Sequence, residues 1–234
     1  MLGVGGGVIL VPGLILIVGL PFQNAVGVSL VCVIATSVSG SVVYLRRRLV
    51  NRRVGVELQL FTVIGAVAAG LAAPLIPAAP LHFAFAALML AATLRMWPRK
   101  AVGPSQERQF SGLRRQAAAA SSVGAGVVSG LLGVGGGILN VPILHVLLGM
   151  RFDRAVATSV FIFGPTAAAA ALVYYVRGDV DITIAVAAVF GTALGAATGA
   201  YLAGKLNRRM LQGAFALLLL YAAVRMVLRG AALG

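Results

Sequence analysis

Long apolar stretches, separated by short clusters of arginine, glycine and proline, fill the 234 residues of this chain. Several reach about 20 residues, enough for a helix to cross the hydrocarbon core of a bilayer. In the second half they form two short pieces, 117–132 and 137–150, on either side of a glycine cluster. Three longer pieces follow at 152–176, 182–203 and 208–229. The first half has matching pieces at 7–20, 22–45, 54–76 and 81–97, with nothing ahead of its own glycine cluster to match 117–132. The expected fold is an all-α polytopic membrane protein.

The halves are copies. LGVGGGVILVP at 2–12 returns as LGVGGGILNVP at 132–142, and the register set by Gly3 and Gly133 then holds without a gap to the end of the chain. Phe22, Ser29, Thr36, Tyr44 and Arg47 recur as Phe152, Ser159, Thr166, Tyr174 and Arg177, and Gly65 and Arg95 recur as Gly195 and Arg225. A fixed-period repeat of this kind marks an architecture built by duplication. It divides the chain into repeat 1 (1–97), a linker (98–116) and repeat 2 (117–234), with the first helix of repeat 1 missing by the repeat's own symmetry.

Charge assigns the sides. Loops rich in arginine face the cytoplasm. Arg46, Arg47, Arg48, Arg52 and Arg53 follow the 22–45 span, whereas the equivalent loop of repeat 2 holds Arg177 with Asp179 and Asp181. The uncharged Pro77–Pro80 turn is answered by Lys205, Arg208 and Arg209, and the uncharged Gln23-Asn24 by Arg151, Asp153 and Arg154. Three pairs of equivalent loops thus fall on opposite sides, which predicts two inverted-topology repeats about an axis in the membrane plane. The linker, with Arg99, Lys100, Arg108, Arg114 and Arg115, reads as a basic cytoplasmic connection. Arg225 and Arg229 run against this scheme, near a C-terminus it places outside; arginines there can snorkel to headgroups.

Composition agrees and removes other classes. Hydrophobic residues make up 60% of the chain and charged residues 10%, against roughly half and a quarter in soluble domains. The net charge of +14 sits in short loops at span ends rather than on a basic stripe with interleaved aromatics, so nucleic acid is not the expected partner. Cys32 is the one cysteine and lies within an apolar run, which rules out an internal disulfide or a thiolate metal cluster. No cofactor and no metal site are expected. His82 and His145 stand at non-equivalent positions without ligand partners, and read as core residues. Tyr44, Tyr174 and Tyr175 read as interface anchors.

The chemistry concentrates at the doubled glycines. Gly5, Gly6 and Gly7, and Gly135, Gly136 and Gly137, open the two short helices, with Pro12 and Pro142 a little further on. Glycine permits backbone conformations closed to other residues and leaves its amide uncovered. A chain broken within a bilayer must be buried in protein or line a wet cavity. Helix N-termini present unpaired N–H groups and the positive end of the helix dipole, so two of them brought together form an anion site. Candidate polar contacts are Ser29, Thr158, Ser159 and Asn140, which replaces Leu10 of the first copy; Thr36 and Thr166 are further possibilities, the latter after Gly164-Pro165, where a helix interruption is expected. Hydroxyls at such places also bond their own helix or a neighbour. The acids Glu57, Glu107, Asp153, Asp179 and Asp181 all fall in loops or near span ends, which disfavours a cation substrate and leaves the coupling ion open.

The two LGVGGG…VP segments, each followed by a small-polar run, AVGVSL at 25–30 and AVATSV at 155–160, resemble the sulfite exporter TauE/SafE family over essentially the whole chain. The resemblance implies a multi-pass transporter of the bacterial plasma membrane that moves a small sulfur-containing anion, such as sulfite or an organosulfonate, outward across the lipid bilayer. Family members usually carry the helix ahead of the first glycine cluster. The residues alone also admit an anion channel, a membrane scaffold or an intramembrane enzyme. An enzyme would need a nucleophile–base pair or a ligand cluster that the apolar runs do not offer.

Overall fold

A computed structural model describes residues 7–96, 112–203 and 208–232. Every regular element among them is helical: α1 (Gly7–Gly13), α2 (Phe22–Arg46), α3 (Arg52–Ala72), α4 (Ala78–Met96), α5 (Gly112–Leu132), α6 (Gly137–Pro142), α7 (Phe152–Val176), α8 (Ile182–Ala203) and α9 (Arg208–Ala232). α2, α3 with the short 3₁₀ turn that extends it to Leu75, and α7 are long and apolar enough to cross a membrane. The 25 residues of α2 or α7 rise about 37 Å at 1.5 Å each, more than the roughly 30 Å of a hydrocarbon core. Their outward faces carry Val38, Val42, Leu60, Ile64, Leu172 and Val176 exposed, the surface a protein offers to lipid rather than to water.

Three packing relationships organise the bundle. α2 lies antiparallel to α7: Gln23 at the start of α2 reaches Arg177 past the end of α7, while Ser37 Oγ donates to the Val160 carbonyl at 2.6 Å. α4 lies antiparallel to α9, with Gly230 against His82 and Phe83; Leu81, Phe85, Met89 and Ala92 face Leu219, Ala222, Ala223 and Met226 in one buried layer. α3 runs parallel to α5 and to α7. Its contact with α5 depends on absent side chains. A Cβ on Gly65 would overlap the Val123 carbonyl oxygen, and one on Gly126 would overlap that of Thr62. Close backbone approach through small residues is how helices associate where lipid provides no hydrophobic drive.

Capping residues set the helix ends. Asn51 Oδ1 accepts the Val54 N–H at the start of α3, and Asp181, its counterpart in the other copy, accepts that of Ile184 at the start of α8. Satisfying one orphan amide in this way stabilises a helix start by about 1 kcal/mol.

Four details differ from the sequence expectations. The short helices do not continue as α-helix after their prolines. Residues Leu14–Val18 and Ile143–Leu147 form π-helical turns, because Pro12 and Pro142 lack the N–H that would close the preceding turn and crowd its carbonyl. α7 runs unbroken through Gly164-Pro165, so the expected interruption is absent. Pro165 faces outward, and Gly164 lets Ser37 approach to within 2.9 Å of where its Cβ would stand. The Pro77–Pro80 segment is not simply a turn, since α4 begins at Ala78 and Pro80 falls in its first turn, where a missing N–H costs nothing. Finally, 112–116, placed in the linker, already belong to α5, and Arg115 there pairs with Glu57 of α3. The rest of the 98–116 linker, up to residue 111, lies outside the described residues.

Candidate functional site

α5 ends at Leu132, and three glycines then adopt left-handed backbone conformations before α6 begins. Gly133 has φ 67°, Gly135 φ 74° and Gly136 φ 71°, a region that costs other L-residues about 1–2 kcal/mol each. The turn is therefore an encoded helix break. α6 starts at Gly137, and its first turn closes on Gly136, whose carbonyl accepts from Asn140 N–H at 2.9 Å. The Leu139 N–H shares that carbonyl at 3.2 Å, and the N–H groups ahead of it are the unpaired ones of a helix start.

The two copies of the motif meet here. Gly7, at the head of α1, packs so closely on the second break that a Cβ would overlap the Gly133 carbonyl oxygen; it would also stand 2.9 Å from Ser29 Oγ and 3.1 Å from Val134 Cα. Ser29 Oγ donates to the Gly133 carbonyl at 2.8 Å. A hydroxyl of the first repeat thus satisfies a backbone oxygen freed by the break in the second. Gly135 is pressed on by Val33 of α2, whose Cγ1 would lie 2.7 Å from an added Cβ. Gly136 has Asn140 Nδ2 at 3.2 Å and Ser129 Cβ at 3.6 Å from its would-be Cβ. Gly5 and Gly6 lie outside the described residues.

The candidate hydroxyls divide into two groups. Ser29 is committed to Gly133. Thr158 Oγ1 accepts the Asn51 N–H at 3.1 Å and so holds the start of α3. Thr36 Oγ1 bonds the Cys32 and Val33 carbonyls of its own helix, and Thr166 Oγ1 bonds the Ile162 carbonyl and lies 2.9 Å from Thr62 Oγ1 across α3 and α7. These four hydroxyls hold helices. Ser159 differs. It is fully buried on α7, the helix against which α6 packs, and its Oγ has no hydrogen-bond partner among the described residues. Ser129 Oγ, one turn before Gly133 on α5, and Ser122 Oγ are in the same condition. Asn140 is 3% exposed at the same break. An unmet buried hydroxyl carries a penalty of about 1–3 kcal/mol unless a ligand or water meets it.

Sequence reasoning missed Ser129; its position four residues before Gly133 was the available signal. No group of three or more His, Cys, Asp or Glu residues among the described ones is placed to hold a metal. His145 Nδ1 contacts the Met150 carbonyl at 2.7 Å, and His82 Nδ1 contacts that of Ala78 at 2.8 Å; both rings are held by backbone. A cavity of about 330 Å³ lies elsewhere, lined by Val31, Tyr175, Val180, Ile182, Val186 and Phe190, and the surface they present to it is apolar.

A helical bundle with an apolar exterior, membrane-length spans and the head of α1 packed on the glycine break ahead of α6 is the build of a polytopic membrane protein. Sequence comparison makes the assignment specific. The profile of the sulfite exporter TauE/SafE family matches residues 1–226, and the chain belongs to that family. It is similar to the "Probable membrane transporter protein YdhB" of Bacillus subtilis (strain 168), with 26% identity over 217 residues, covering 91% of this chain and 88% of that one. It is also similar to a "Probable membrane transporter protein" of Xylella fastidiosa (strain 9a5c), with 28% identity over 233 residues, 98% and 89% of the respective chains. No solved structure matches it. The protein is a membrane transporter, not an enzyme.

Proposed function

We propose that this transporter carries a small sulfur-containing anion, sulfite or an organosulfonate, outward across the plasma membrane, by alternating access around the junction of the two glycine breaks. The observation that carries the reading is the convergence at one place of both copies of the motif with an unmet hydroxyl: Gly7 against Gly133, and Ser129 Oγ with the buried Asn140 around Gly136, where α6 begins. Ser159 adds a further unmet hydroxyl on α7. Hydroxyls, a carboxamide and helix-start amides recognise an oxyanion by hydrogen bonds without a fixed cation. Such a site can bind and then release, whereas a buried arginine would hold its ligand tightly.

The substrate class draws its support from the family, and the anion preference from the donors. Alternating access draws on the antiparallel pairing of α2 with α7 and of α4 with α9, each pair being equivalent helices of the two copies. Equivalent helices that run in opposite directions are what inverted repeats require. Close packing at the junction favours a carrier that must move to admit its substrate over an open channel.

Uptake into proteoliposomes, with sulfite, thiosulfate, sulfonates and chloride compared, tests the reading. Sulfur oxyanions should be taken up in preference to chloride, and Gly136→Leu and Asn140→Leu should lower that flux while the protein still inserts. Normal flux in both variants refutes the site.

A further inference from the structure

One guanidinium ties three helix ends together, and the tyrosine beside it reaches a fourth. Arg177, just past α7, donates to the Gly70 carbonyl of α3 at 2.7 Å and to Gln23 Oε1 of α2 at 2.8 Å. It also stands 2.7 Å from Asp179 Oδ2, in an ion pair whose alignment falls outside a hydrogen bond, and its guanidinium carbon lies 5.2 Å from the centre of the Tyr174 ring. Gln23 in turn donates from Nε2 to the Ala73 carbonyl at 3.0 Å, and Tyr174 donates from its hydroxyl to the Gly130 carbonyl of α5 at 3.0 Å. The two repeats are thus fastened together at this end of the bundle. Charge-assisted bonds of this kind, partly shielded from water, are stronger than neutral ones.

The repeat supplies the same parts at the opposite end, where they are apart. Arg47 is the counterpart of Arg177, Tyr44 of Tyr174, and Asp153 of Gln23. Because α2 and α7 are antiparallel, Arg47 and Asp153 both fall at the far end of that pair. Arg47 is exposed, and Asp153 is engaged with Arg151 at 3.2 Å, their side chains 46% and 66% exposed. The substitution of Gln23 by Asp153 makes the second set an arginine–carboxylate pair, a combination suited to bidentate closure.

We propose that Arg177–Gln23 and Arg47–Asp153 are two alternating latches, the first closed and the second open in this structure. When the Arg177 latch opens, Arg47 turns onto Asp153 and seals the other end, so the site is never open to both sides. The proposal rests on the carrier reading above and names the residues that set its two end states.

The test uses purified protein in detergent, with Cys32→Ala removing the one native cysteine and Ala73→Cys as reporter. Ala73 is fully buried beneath the Arg177 latch. The readout is its rate of reaction with a bulky maleimide. Arg177→Gln should raise that rate about tenfold or more, since charge-assisted hydrogen bonds are lost. Adding Asp153→Asn should bring the rate back toward the parent, because the competing closed end is weakened. Gln23→Glu should lower it below the parent. Local loosening around Arg177 alone would not respond to Asp153 at the opposite end. An unchanged rate in Arg177→Gln, or a rate in the double variant as high as in Arg177→Gln, overturns the latch pair. Anion flux, measured after the same proteins are reconstituted into proteoliposomes, separates the two claims. Flux in the parent with immobile labelling sinks the latches and leaves the carrier standing, whereas absence of flux in the parent sinks the carrier reading whatever the labelling does.

Discussion

Ser29 and Ser159 occupy the same place in the two copies, yet they should behave oppositely when truncated to alanine. Ser29 Oγ is fully buried and donates to the Gly133 carbonyl at 2.8 Å. Ser29→Ala removes the donor and leaves a buried carbonyl unmet, a cost of about 1–3 kcal/mol. For a chain of this length each kcal/mol moves the unfolding midpoint by about 2–4 °C, so a fall of about 2–12 °C is expected. Ser159 Oγ is equally buried and has no partner among the described residues. Ser159→Ala removes a desolvated hydroxyl that returns nothing to the fold, so the midpoint should stay level or rise. If that hydroxyl donates to the anion, the loss appears in transport instead: a hydrogen bond to a charged group is worth about 1.5–3 kcal/mol, which raises KM about tenfold to a hundredfold. Thermal unfolding of the detergent-purified protein, followed by size-exclusion of the soluble fraction, measures the first quantity, and concentration-dependent uptake the second. A stability loss in Ser159→Ala as large as that in Ser29→Ala, with KM unchanged, refutes the reasoning; Ser159 would then hold the fold as Ser29 does and be unavailable to a substrate.

Further outcomes follow from the packing. Gly65→Ala places a methyl on the Val123 backbone, which cannot yield without separating α3 from α5, and should destabilise by about 1–3 kcal/mol; Gly124→Ala, on an open face of α5, should be neutral or stabilising by up to about 1 kcal/mol. Thermal unfolding of the two variants side by side checks the contrast. Asn51→Ala removes the cap of α3 and should cost about 1 kcal/mol, with Asn51→Asp restoring most of it. Gly136→Ala forces a side chain into a conformation with φ 71° and should lower anion flux more than Gly213→Ala, whose Cβ meets nothing.

How much of this was legible in the sequence depends on the range of the interaction. The limits of α7 and α8 could be read almost to the residue, because Gly178 and Asp181 punctuate an otherwise continuous apolar run. The π-turns after Pro12 and Pro142 could not, since a change in helical winding leaves no mark on a stretch that is apolar on every face. Pro165 misled for a related reason: a helix supported along its length by α2 and α3 tolerates one missing hydrogen bond on its exposed side. The start of α5 was hidden because Arg114, Arg115 and Gln116 look like linker, while Arg115 meets its partner Glu57 only in the folded chain. At the site, the duplicated glycines announced a helix break, and three positive φ angles at Gly133, Gly135 and Gly136 are its physical content. What the repeat could not reveal was which equivalent hydroxyl is committed. Ser29 and Ser159 are identical as letters, and only their surroundings distinguish them.

One anion site formed by the two breaks and used in transport must saturate with substrate. Counterflow of radiolabelled sulfite into proteoliposomes preloaded with unlabelled sulfite, compared between the parent protein and Asn140→Leu, tests it most directly. Saturable counterflow is expected in the parent, competed by thiosulfate and sulfonates, with a loss of apparent affinity of about tenfold or more in the variant. Flux that never saturates, or saturates identically in the two proteins, would contradict it.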